Sequence, residues 1–374
     1  MTHPRTYLDY NASAPLRAEA RAAFLAALDV GGNPSSVHAE GRAARAIVER
    51  AREQVARLVN ASPSEVVFTS GATEANNCVI AAGWDEICVS AIEHDSVLAP
   101  AQRTRARLAS LPVSPNGVVD VDAAAALLGR SRGRSGHVLV SLMAASNETG
   151  VIQPVAEVTA LARDIGATMH VDAVQAPGRI ELDFKTLGAD ALVLSAHKIG
   201  GPRGIGALIL RDGVALPALI AGGGQERRRR AGTEDVAAIA GFGAAAEAIL
   251  RDAAQHMERL RAQLEAGVAR TTPTAVIVGG EAPRIANTSW IALPGARAET
   301  LVIKLDLEGI AVSAGAACSS GKVGASHVLE AMGLPPEIAR SAIRVSLGPE
   351  TSEDDIAAFL AAWEKIAGRA AMAA

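Results

Sequence analysis

Two residues with reactive side chains follow apolar segments that lie about one strand-and-helix unit apart. Asp172 ends the run Thr168–Asp172, and Lys198 lies just beyond the run Ala191–Ser195, in a glycine-rich bend. Ligands of open α/β sheets bind at the carboxyl ends of strands. A desolvated lysine can form a Schiff base, and a carboxylate there needs a partner such as a protonated pyridine nitrogen. The pair therefore indicates a pyridoxal phosphate (PLP) site. Taken singly, Lys198 is equally compatible with a solvated loop residue, and Asp172 is equally compatible with a cap of the next helix.

The segment Thr69–Asn77 has the composition of an anion-binding turn. A strand ends within it, a glycine permits a tight turn, and a helix is predicted to start near Thr73. Such a junction presents free backbone N–H groups at a positive helix end, although a simple N-cap is the commoner reason for this local pattern. Ser195 and His197, which flank Lys198, are placed to reach the same phosphate.

The three cysteines differ in their sequence context. Cys78 lies in an apolar helical segment and Cys88 in an apolar strand, which favours small core residues. Cys318 lies among glycine and other small residues, the setting of an accessible loop in which reactive thiols occur. An incidental exposed cysteine explains that context equally well. The spacing fits neither a disulfide framework nor a CxxC site, so we expect no metal.

His94 and Arg344 are weaker candidates when each is taken alone. His94 follows a predicted strand, and Arg344 lies between apolar residues in Ile343–Ser346. A guanidinium group binds a carboxylate through two parallel hydrogen bonds. An isolated histidine or an arginine in an alternating strand is nevertheless more often structural.

These candidates require a frame of alternating strands and helices, and the sequence predicts one. Buried strands are predicted at Val66–Ser70, Ile87–Ala91, Val138–Met143, Thr168–Asp172, Ala191–Ser195 and Gly206–Leu210. Amphipathic helices between them include Arg42–Leu58 and Val155–Asp164. This alternation predicts an α/β domain around a largely parallel sheet. A long helix over Val236–Ala269, followed by short strands at Ser289–Leu293 and Ile343–Leu347, predicts a second, smaller α+β domain.

Length and composition exclude several classes of protein. A chain of 374 residues fits about two domains, and 49% hydrophobic with 20% charged residues is typical of a globular protein. A net charge of −4 and 3% aromatic residues give no reason to expect binding to nucleic acid or to an anionic membrane. No apolar run reaches the ~18 residues of a membrane span. The polar N-terminus lacks the core of a signal peptide, so we expect a cytoplasmic protein.

Taken together and in order, these segments resemble the cysteine desulfurases of the class V aminotransferase superfamily, PLP enzymes of fold-type I. The segments that carry the resemblance are Tyr7–Pro15, Gly32–His38, Thr69–Asn77, Ser195–Gly206, Ala317–Ser320 and Arg344–Gly348. They extend over essentially the whole chain. The resemblance implies the fold of aspartate aminotransferase. It assigns residues 15–255 to a large PLP-binding domain, and residues 1–14 and 256–374 to a small domain.

The resemblance also implies roles around the cofactor. Lys198 would hold PLP covalently, Asp172 would pair with the pyridine nitrogen, and Gln175 would hydrogen-bond the ring oxygen. His94 would stack on the ring and exchange protons. The residues implied to hold the phosphate are Ala72, Thr73, Ser195, His197 and, from the other subunit of a homodimer, Thr233.

The substrate implied by the resemblance is L-cysteine, with its carboxylate and surroundings bound by Asn33, Asn147 and Arg344. Cys318 would take the sulfur as a persulfide, and the product would be L-alanine. The loop around Cys318 resembles the long NifS/IscS-like type that serves iron–sulfur cluster assembly directly. The implied partner is therefore a sulfur-acceptor protein such as an iron–sulfur scaffold.

Three positions depart from the family pattern, and two other functions stay open. Gln225 stands where the family more often has His, and Ala144 and Ser146 stand where His and Asn are common. The first alternative is a selenocysteine lyase or another class V PLP enzyme, such as an aminotransferase, which has no use for the Cys318 thiol. The second is a non-catalytic scaffold, which has no reason to keep the lysine and aspartate of a PLP site.

Overall fold

A computed structural model describes residues 5–131, 136–252, 254–314 and 326–371. The strands in these ranges are β1 (Thr6–Tyr7), β2 (Val66–Thr69), β3 (Glu86–Ser90), β4 (Arg107–Leu111), β5 (Val138–Met143), β6 (Thr168–Asp172), β7 (Ala191–Ser195), β8 (Gly206–Leu210), β9 (Val276–Ile277), β10 (Thr288–Ala292), β11 (Ile310–Ala311), β12 (Ser313–Ala314) and β13 (Ala342–Ser346). The helices are α1 (Ala18–Leu28), α2 (Ala39–Leu58), α3 (Ala72–Ile80), α4 (Asp95–Arg103), α5 (Val121–Gly129), α6 (Val155–Asp164), α7 (Phe184–Leu187), α8 (Val236–Ile249), α9 (Ala254–Thr271), α10 (Ala298–Leu307), α11 (His327–Ala331), α12 (Pro336–Ala339) and α13 (Glu353–Ala371). Short 3-10 helices occupy Pro63–Glu65, Ala196–Lys198 and Gln225–Arg228.

A seven-stranded sheet with the order β2-β8-β7-β6-β5-β3-β4 forms the centre of the structure. Strands β3 to β7 run parallel to their neighbours within this set, whereas β8 is antiparallel to both β2 and β7. The predicted α/β fold with a mostly parallel sheet is therefore confirmed. Because Met143 pairs with Asp172 and Asp172 pairs with Val193, the strands β5, β6 and β7 end at one common edge.

Helices cover both faces of this sheet, which explains why its central strands are apolar throughout. Successive side chains of a strand point to opposite faces. Accordingly, Cys88 lies in one buried cluster while Ile87 and Val89 lie in another. The first cluster includes Val48 and Val55 of α2 and Phe242 of α8, and the second includes Val79 and Val97 from α3 and α4.

The outer edge of β2 is closed by an ion pair instead of another strand. Arg52 of α2 donates from Nη1 to the carbonyl oxygen of Val66 (2.8 Å), and Glu226 accepts from the backbone N–H of Phe68 (2.9 Å). The two side chains also form a bidentate pair, with both N–O distances at 2.8 Å. Both are buried, with 6% and 2% of their side-chain surface exposed. An edge strand left open is a template for unwanted pairing, and this pair covers it.

A second, antiparallel sheet with the order β12-β13-β10-β9 lies apart from the central one in sequence. The N-terminal strand β1 pairs in parallel with β11. Helices α9 and α13 pack on each other and contribute Leu260, Leu264, Phe359 and Trp363 to a separate buried cluster. This organisation is that of an α+β unit. The division at residues 15 and 255 stays a prediction.

The predicted helix over Val236–Ala269 is wrong, because two helices occupy this region. Helix α8 ends at Ile249 and α9 begins at Ala254. Between them, Asp252 accepts hydrogen bonds from the guanidinium of Arg17, near the start of α1. The composition of the segment is uniformly helix-forming, so this long-range ion pair could not be seen in it. Among the described helices, none has the length and apolar composition that crossing a membrane requires.

Candidate active site

A cavity of about 550 Å³ opens at the common edge of β5, β6 and β7. Its wall is built from the central sheet, from the N-terminal segment and from Arg344 of β13. Ten of the residues singled out from the sequence line it: Ala72, Thr73, His94, Asn147, Asp172, Gln175, Ser195, His197, Lys198 and Arg344. Strand ends and the N-terminus of α3 therefore bring most of the predicted site together.

Lys198 ends the short helix that follows β7, and its amine reaches across the cavity edge to the N-terminal segment. Lys198 Nζ donates to the carbonyl oxygens of Asn11 (2.6 Å) and Ala12 (3.0 Å). The carbonyl of Asn11 also accepts from Gln175 Nε2 at 3.1 Å. These contacts hold the lysine and glutamine side chains beside each other. Asn11 itself was not predicted as a site residue, although it lies within a segment that carries the family resemblance.

Asp172 presents a buried carboxylate to the cavity, with 7% of the residue exposed. Its Oδ2 accepts from Asn76 Nδ2 (2.8 Å), and its Oδ1 accepts from the backbone N–H of Val174 (3.0 Å). Both of these donors are neutral N–H groups. A carboxylate has about four acceptor positions, so Asp172 keeps capacity for a cationic N–H from a ligand.

Glu93 is a second acid behind the cavity, and it is fully buried. Burial raises the pKa of Glu93 well above its usual value, and the nearby charge of Asp172 raises it further. Its Oε1 accepts the backbone N–H of Met143, while Oε2 has no hydrogen-bond partner among the described residues. Burial and the lack of a partner for Oε2 therefore favour the neutral form of Glu93 over its carboxylate.

The start of α3 forms a close contact with the sheet at one end of the cavity. Gly71 precedes the helix with φ of +155°, and no side chain caps the N-terminus. A Cβ atom on Gly206 of β8 would lie 2.8 Å from the backbone of Gly71. Only glycine permits this approach, and the first N–H groups of α3 stay available to an anion.

His197 and Arg203 line the same cavity as that helix end. Burial lowers the pKa of His197 to about 4, and the cations Lys198 and Arg203 lower it further. His197 is therefore a neutral imidazole at pH 7, while Arg203, which lines the cavity, supplies positive charge. Arg203 was not predicted as a site residue, because only its place in a glycine-rich bend distinguishes it in the sequence.

Arg344 is held in place by the N-terminal segment before any ligand binds. Its Nη2 donates to Asp9 Oδ1 (3.0 Å) and its Nη1 donates to the carbonyl oxygen of Asn147 (2.9 Å). Only 4% of its side chain is exposed, and its Nε is buried with no hydrogen-bond partner among the described residues. Arg344 lines the cavity, and these two hydrogen bonds use only two of its five N–H groups, so it keeps donor capacity for a carboxylate.

Two of the predicted residues that the structure describes, Asn33 and Thr233, do not line the cavity within one chain. Asn33 is exposed, and its Oδ1 accepts from the backbone N–H of Ser35 at 2.9 Å. Thr233 is also exposed, in the loop before α8. Cys318 lies outside the described residues. The predicted roles of all three stay predictions.

The two described cysteines lie in apolar settings. Burial raises the pKa of Cys78, and burial together with the Glu86 charge raises the pKa of Cys88 to about 12. Neither thiol is a thiolate at pH 7. Since the thiolate is the nucleophilic form of cysteine, Cys78 and Cys88 are unsuited to accept an atom from a substrate.

The departures from the family pattern make local backbone contacts. Ser146 is buried, and its Oγ accepts from the backbone N–H groups of Glu148 and Thr149, both at 3.2 Å. Gln225 Oε1 accepts from the backbone N–H of Gly232 at 3.3 Å. Both side chains therefore shape turns near the site. Neither is among the residues that line the cavity.

The fold and the position of the cavity agree with one protein family, the class V aminotransferases. Residues 6–359 match the family Aminotransferase class-V, and the chain belongs to that family. It is 38% identical to the cysteine desulfurase IscS of Dictyoglomus turgidum over an alignment of 374 positions. This alignment covers 96% of this chain and 94% of the relative.

Solved structures extend the comparison. A NifS-like protein from Rickettsia africae superposes with a TM-score of 0.88 at 35% identity, covering 97% of this chain and 99% of the other. A structure of SspA in complex with cysteine gives a TM-score of 0.80 at 28% identity, covering 93% of this chain and 100% of the other. Similarity to proteins of this kind therefore extends over nearly the whole chain.

Proposed function

We propose that the protein is a PLP-dependent cysteine desulfurase, which converts L-cysteine to L-alanine and retains the sulfur as a persulfide. The observation that carries the proposal is the position of Lys198 and Asp172 in one cavity, at the strand ends of a class V fold. Relatives named cysteine desulfurase, at 38% identity over nearly the full length, support the choice of reaction. The complex of a similar structure with cysteine supports the choice of substrate.

The residues of the cavity fit PLP. Asp172 offers a buried acceptor to a pyridinium N–H, since its present donors are neutral. The uncapped N-terminus of α3, with Thr73, Ser195 and His197, is suited to a phosphate. Gln175 lies beside Lys198 and would contact the ring oxygen. When bound, PLP supplies an electron sink for bonds at the substrate's α-carbon.

Three side chains would bind the substrate and move its protons. Arg344, whose Nε lacks a hydrogen-bond partner among the described residues, would bind the carboxylate of cysteine. Lys198 Nζ, released from its backbone acceptors, would take the proton from the α-carbon and return it during the formation of alanine. His94 would exchange protons with the thiol groups at the site. Asn147, next to Arg344, would complete the pocket for the carboxylate.

Sulfur transfer would require one accessible thiolate, and we assign it to Cys318. Its sulfur would attack the sulfur of the bound cysteine, so that an S–S bond forms as the substrate's C–S bond breaks. The electron pair of the broken bond stays with the carbon skeleton, which takes up a proton and leaves as alanine. The raised pKa values of Cys78 and Cys88, both caused first by burial, argue against either as the acceptor.

The test is the variant Cys318→Ser, assayed for alanine release from L-cysteine. We expect it to bind PLP normally, because Cys318 is not one of the residues proposed to hold the cofactor, but to lose alanine release. The matched control Cys78→Ser should keep the wild-type rate. Mass spectrometry of wild type treated with cysteine without reductant should find the persulfide on Cys318. Alanine release by Cys318→Ser at the wild-type rate would contradict the mechanism and favour a selenocysteine lyase, which parallel assays with selenocysteine would identify.

We further propose a cytoplasmic homodimer that passes its sulfur to an acceptor protein such as an iron–sulfur scaffold. Asn33 and Thr233, which the family resemblance assigns to the site, are exposed in the single chain. Apolar side chains are exposed near them in sequence, with Val37 at 87% and Leu219 at 48%. A partner subunit would cover these surfaces.

A further inference from the structure

A chain of buried hydrogen bonds lies behind the cavity and begins at His170. His170 lies two residues before Asp172 on β6, so both side chains are on the same face of the sheet. His170 Nδ1 lies 2.8 Å from Ser141 Oγ, and His170 Nε2 lies 3.1 Å from Asn76 Oδ1. His170, Ser141 and Asn76 are each 0% exposed, and neither His170 nor Asn76 lines the cavity.

The direction of each hydrogen bond follows from the amide of Asn76. Its Nδ2 donates to Asp172 Oδ2 and to Ser96 Oγ, both at 2.8 Å, which uses both of its N–H bonds. Its Oδ1 is therefore the acceptor for His170 Nε2. Burial lowers the pKa of His170 to about 4, so the ring is neutral at pH 7 and has a single proton, on Nε2. His170 Nδ1 then accepts from the hydroxyl of Ser141.

The same chain reaches His94 at its other end. Ser96 Oγ accepts from Asn76, and its hydroxyl proton is directed to His94 Nδ1, 2.9 Å away. The backbone N–H of Ser96 also donates to His94 Nδ1, at 3.0 Å. A neutral His94 ring whose Nδ1 accepts must carry its proton on Nε2.

Reversing the Asn76 amide would remove the hydrogen bonds that it donates to Asp172 and Ser96. The amide oxygen would then face the carboxylate of Asp172 and the hydroxyl of Ser96, and Asp172 would exchange an N–H donor for a repelling acceptor. The Asp172 carboxylate opposes this reversal because it can only accept, and the Nε2–H of His170 adds to the preference because it has its acceptor at Asn76 Oδ1. Reversal would leave buried polar groups without partners, so the orientation is well determined.

We propose that His170 is a positioning residue that acts through Asn76 on both Asp172 and His94. Its N–H helps to hold the Asn76 amide in the orientation that supplies a donor to the Asp172 carboxylate. Through Ser96 Oγ, the same orientation adds to the backbone N–H of Ser96 in holding His94 as the tautomer with its proton on Nε2. The inference rests on the proposed function, which gives Asp172 and His94 their roles toward PLP and substrate. It adds a determinant of their protonation that lies outside the cavity.

The test compares His170→Phe, which removes the donor, with His170→Gln, whose Nε2 can still donate to Asn76. Two quantities are measured on the full chain: the dissociation constant for PLP, and the tautomer of His94 from ¹⁵N shifts of histidine-labelled holoenzyme. We expect His170→Phe to bind PLP about tenfold or more weakly, as for loss of a hydrogen bond to a charged group. The Nε2–H preference of His94 should be weakened and not abolished, because the backbone N–H of Ser96 still donates to Nδ1. His170→Gln should restore both to within about threefold of wild type.

Two further variants separate this role from a purely structural one. Val171→Ala lies on the opposite face of β6, in the apolar core, and should lower thermal stability while PLP affinity and the His94 tautomer stay unchanged. Ser141→Ala removes only the hydroxyl that donates to His170, so it keeps the proposal testable should His170→Phe fail to fold. It should weaken the tautomer preference of His94.

The outcomes separate this inference from the proposed function. The inference is overturned if His170→Phe or Ser141→Ala behaves as Val171→Ala does, with reduced stability but unchanged PLP affinity and tautomer. If wild type releases no alanine from cysteine while the PLP affinity and tautomer shift as expected, the inference is supported and the proposed reaction is wrong.

Discussion

The buried ion pair at the edge of β2 allows a quantitative test of how the fold supports the cavity. Replacing Arg52 by Met would leave the Glu226 carboxylate in a site where 2% of its surface is exposed. It would also remove the donor to the Val66 carbonyl. Glu226 begins a run of three residues with positive φ, namely 45°, 56° and 66°. Such a backbone is strained for residues other than glycine, so the pair also holds this loop.

The expected loss follows from the burial of the pair. Removing one partner of a buried, hydrogen-bonded pair destabilises a protein by about 3–5 kcal/mol, because the remaining charge is uncompensated. For 374 residues the entropy of unfolding near 60 °C is about 0.8 kcal/mol/K. Arg52→Met should therefore lower Tm by about 4–6 °C. Adding Glu226→Gln should recover part of this, because no buried charge then remains unpaired.

The assay is thermal unfolding followed by circular dichroism, with an exposed pair as control. Arg259 and Glu353 pair at 56% and 61% exposure, and pairs of that kind contribute less than about 1 kcal/mol. Arg259→Met should therefore shift Tm by about 1 °C or less. If Arg52→Met shifts Tm no more than Arg259→Met does, the reasoning from burial is refuted. A double variant less stable than Arg52→Met would refute the explanation by an unpaired charge.

Four further predictions concern the site. Borohydride reduction followed by peptide mapping should place the cofactor on Lys198, and Lys198→Ala should abolish turnover; label on another lysine would contradict the assignment. Asp172→Ala should weaken PLP binding by several kcal/mol, about 3–5 for a lost buried pair, and an unchanged absorption spectrum and turnover would count against it. Glu93 has a pKa raised mainly by burial, so the folded state binds its proton more tightly, and wild-type stability falls as pH rises above the unfolded pKa of Glu. Glu93→Gln removes this dependence, and its Tm relative to wild type should therefore increase from pH 5 to pH 8; a constant difference would show that Glu93 is ionised. Light scattering should give the mass of a dimer, and Thr233→Ala should weaken PLP binding only if subunits share the site; a fully active monomer would refute the homodimer.

The sequence predicted the central strands well because each is buried on both faces. The bounds of β5, β6, β7 and β8 agree with the prediction to the residue, since strands buried on both faces have few polar residues. Strand β4 was missed. It lies at the edge of the sheet, where four of its five residues keep exposed or partly exposed surface, and its sequence therefore lacks an apolar run.

Sequence reasoning identified reactive groups better than the residues that hold them. Lys198 and Asp172 were found because their types are unusual beside apolar strands. Asn76 and Asn11 were not singled out, because an amide is chemically inert and its importance lies in its partners. Those partners are distant in sequence: Asn76 binds a residue 96 positions away, and Asn11 binds Lys198 across 187 positions. Pairings of this kind arise only from the fold.

The N-terminal segment has a consequence for the order in which the site forms during synthesis. Asp9 and Asn11 bind Arg344 and Ser346, each across 335 positions of sequence. At roughly 5–20 residues per second, a ribosome needs about 20–70 s to make the intervening chain. The central sheet, complete at Leu210, can assemble during this time. Until the later segments are made, β1 lacks its partner strand β11 and the carboxylate of Asp9 lacks Arg344. The cavity is therefore closed by two segments that are synthesised far apart in time, and it is completed only after β13 has been made.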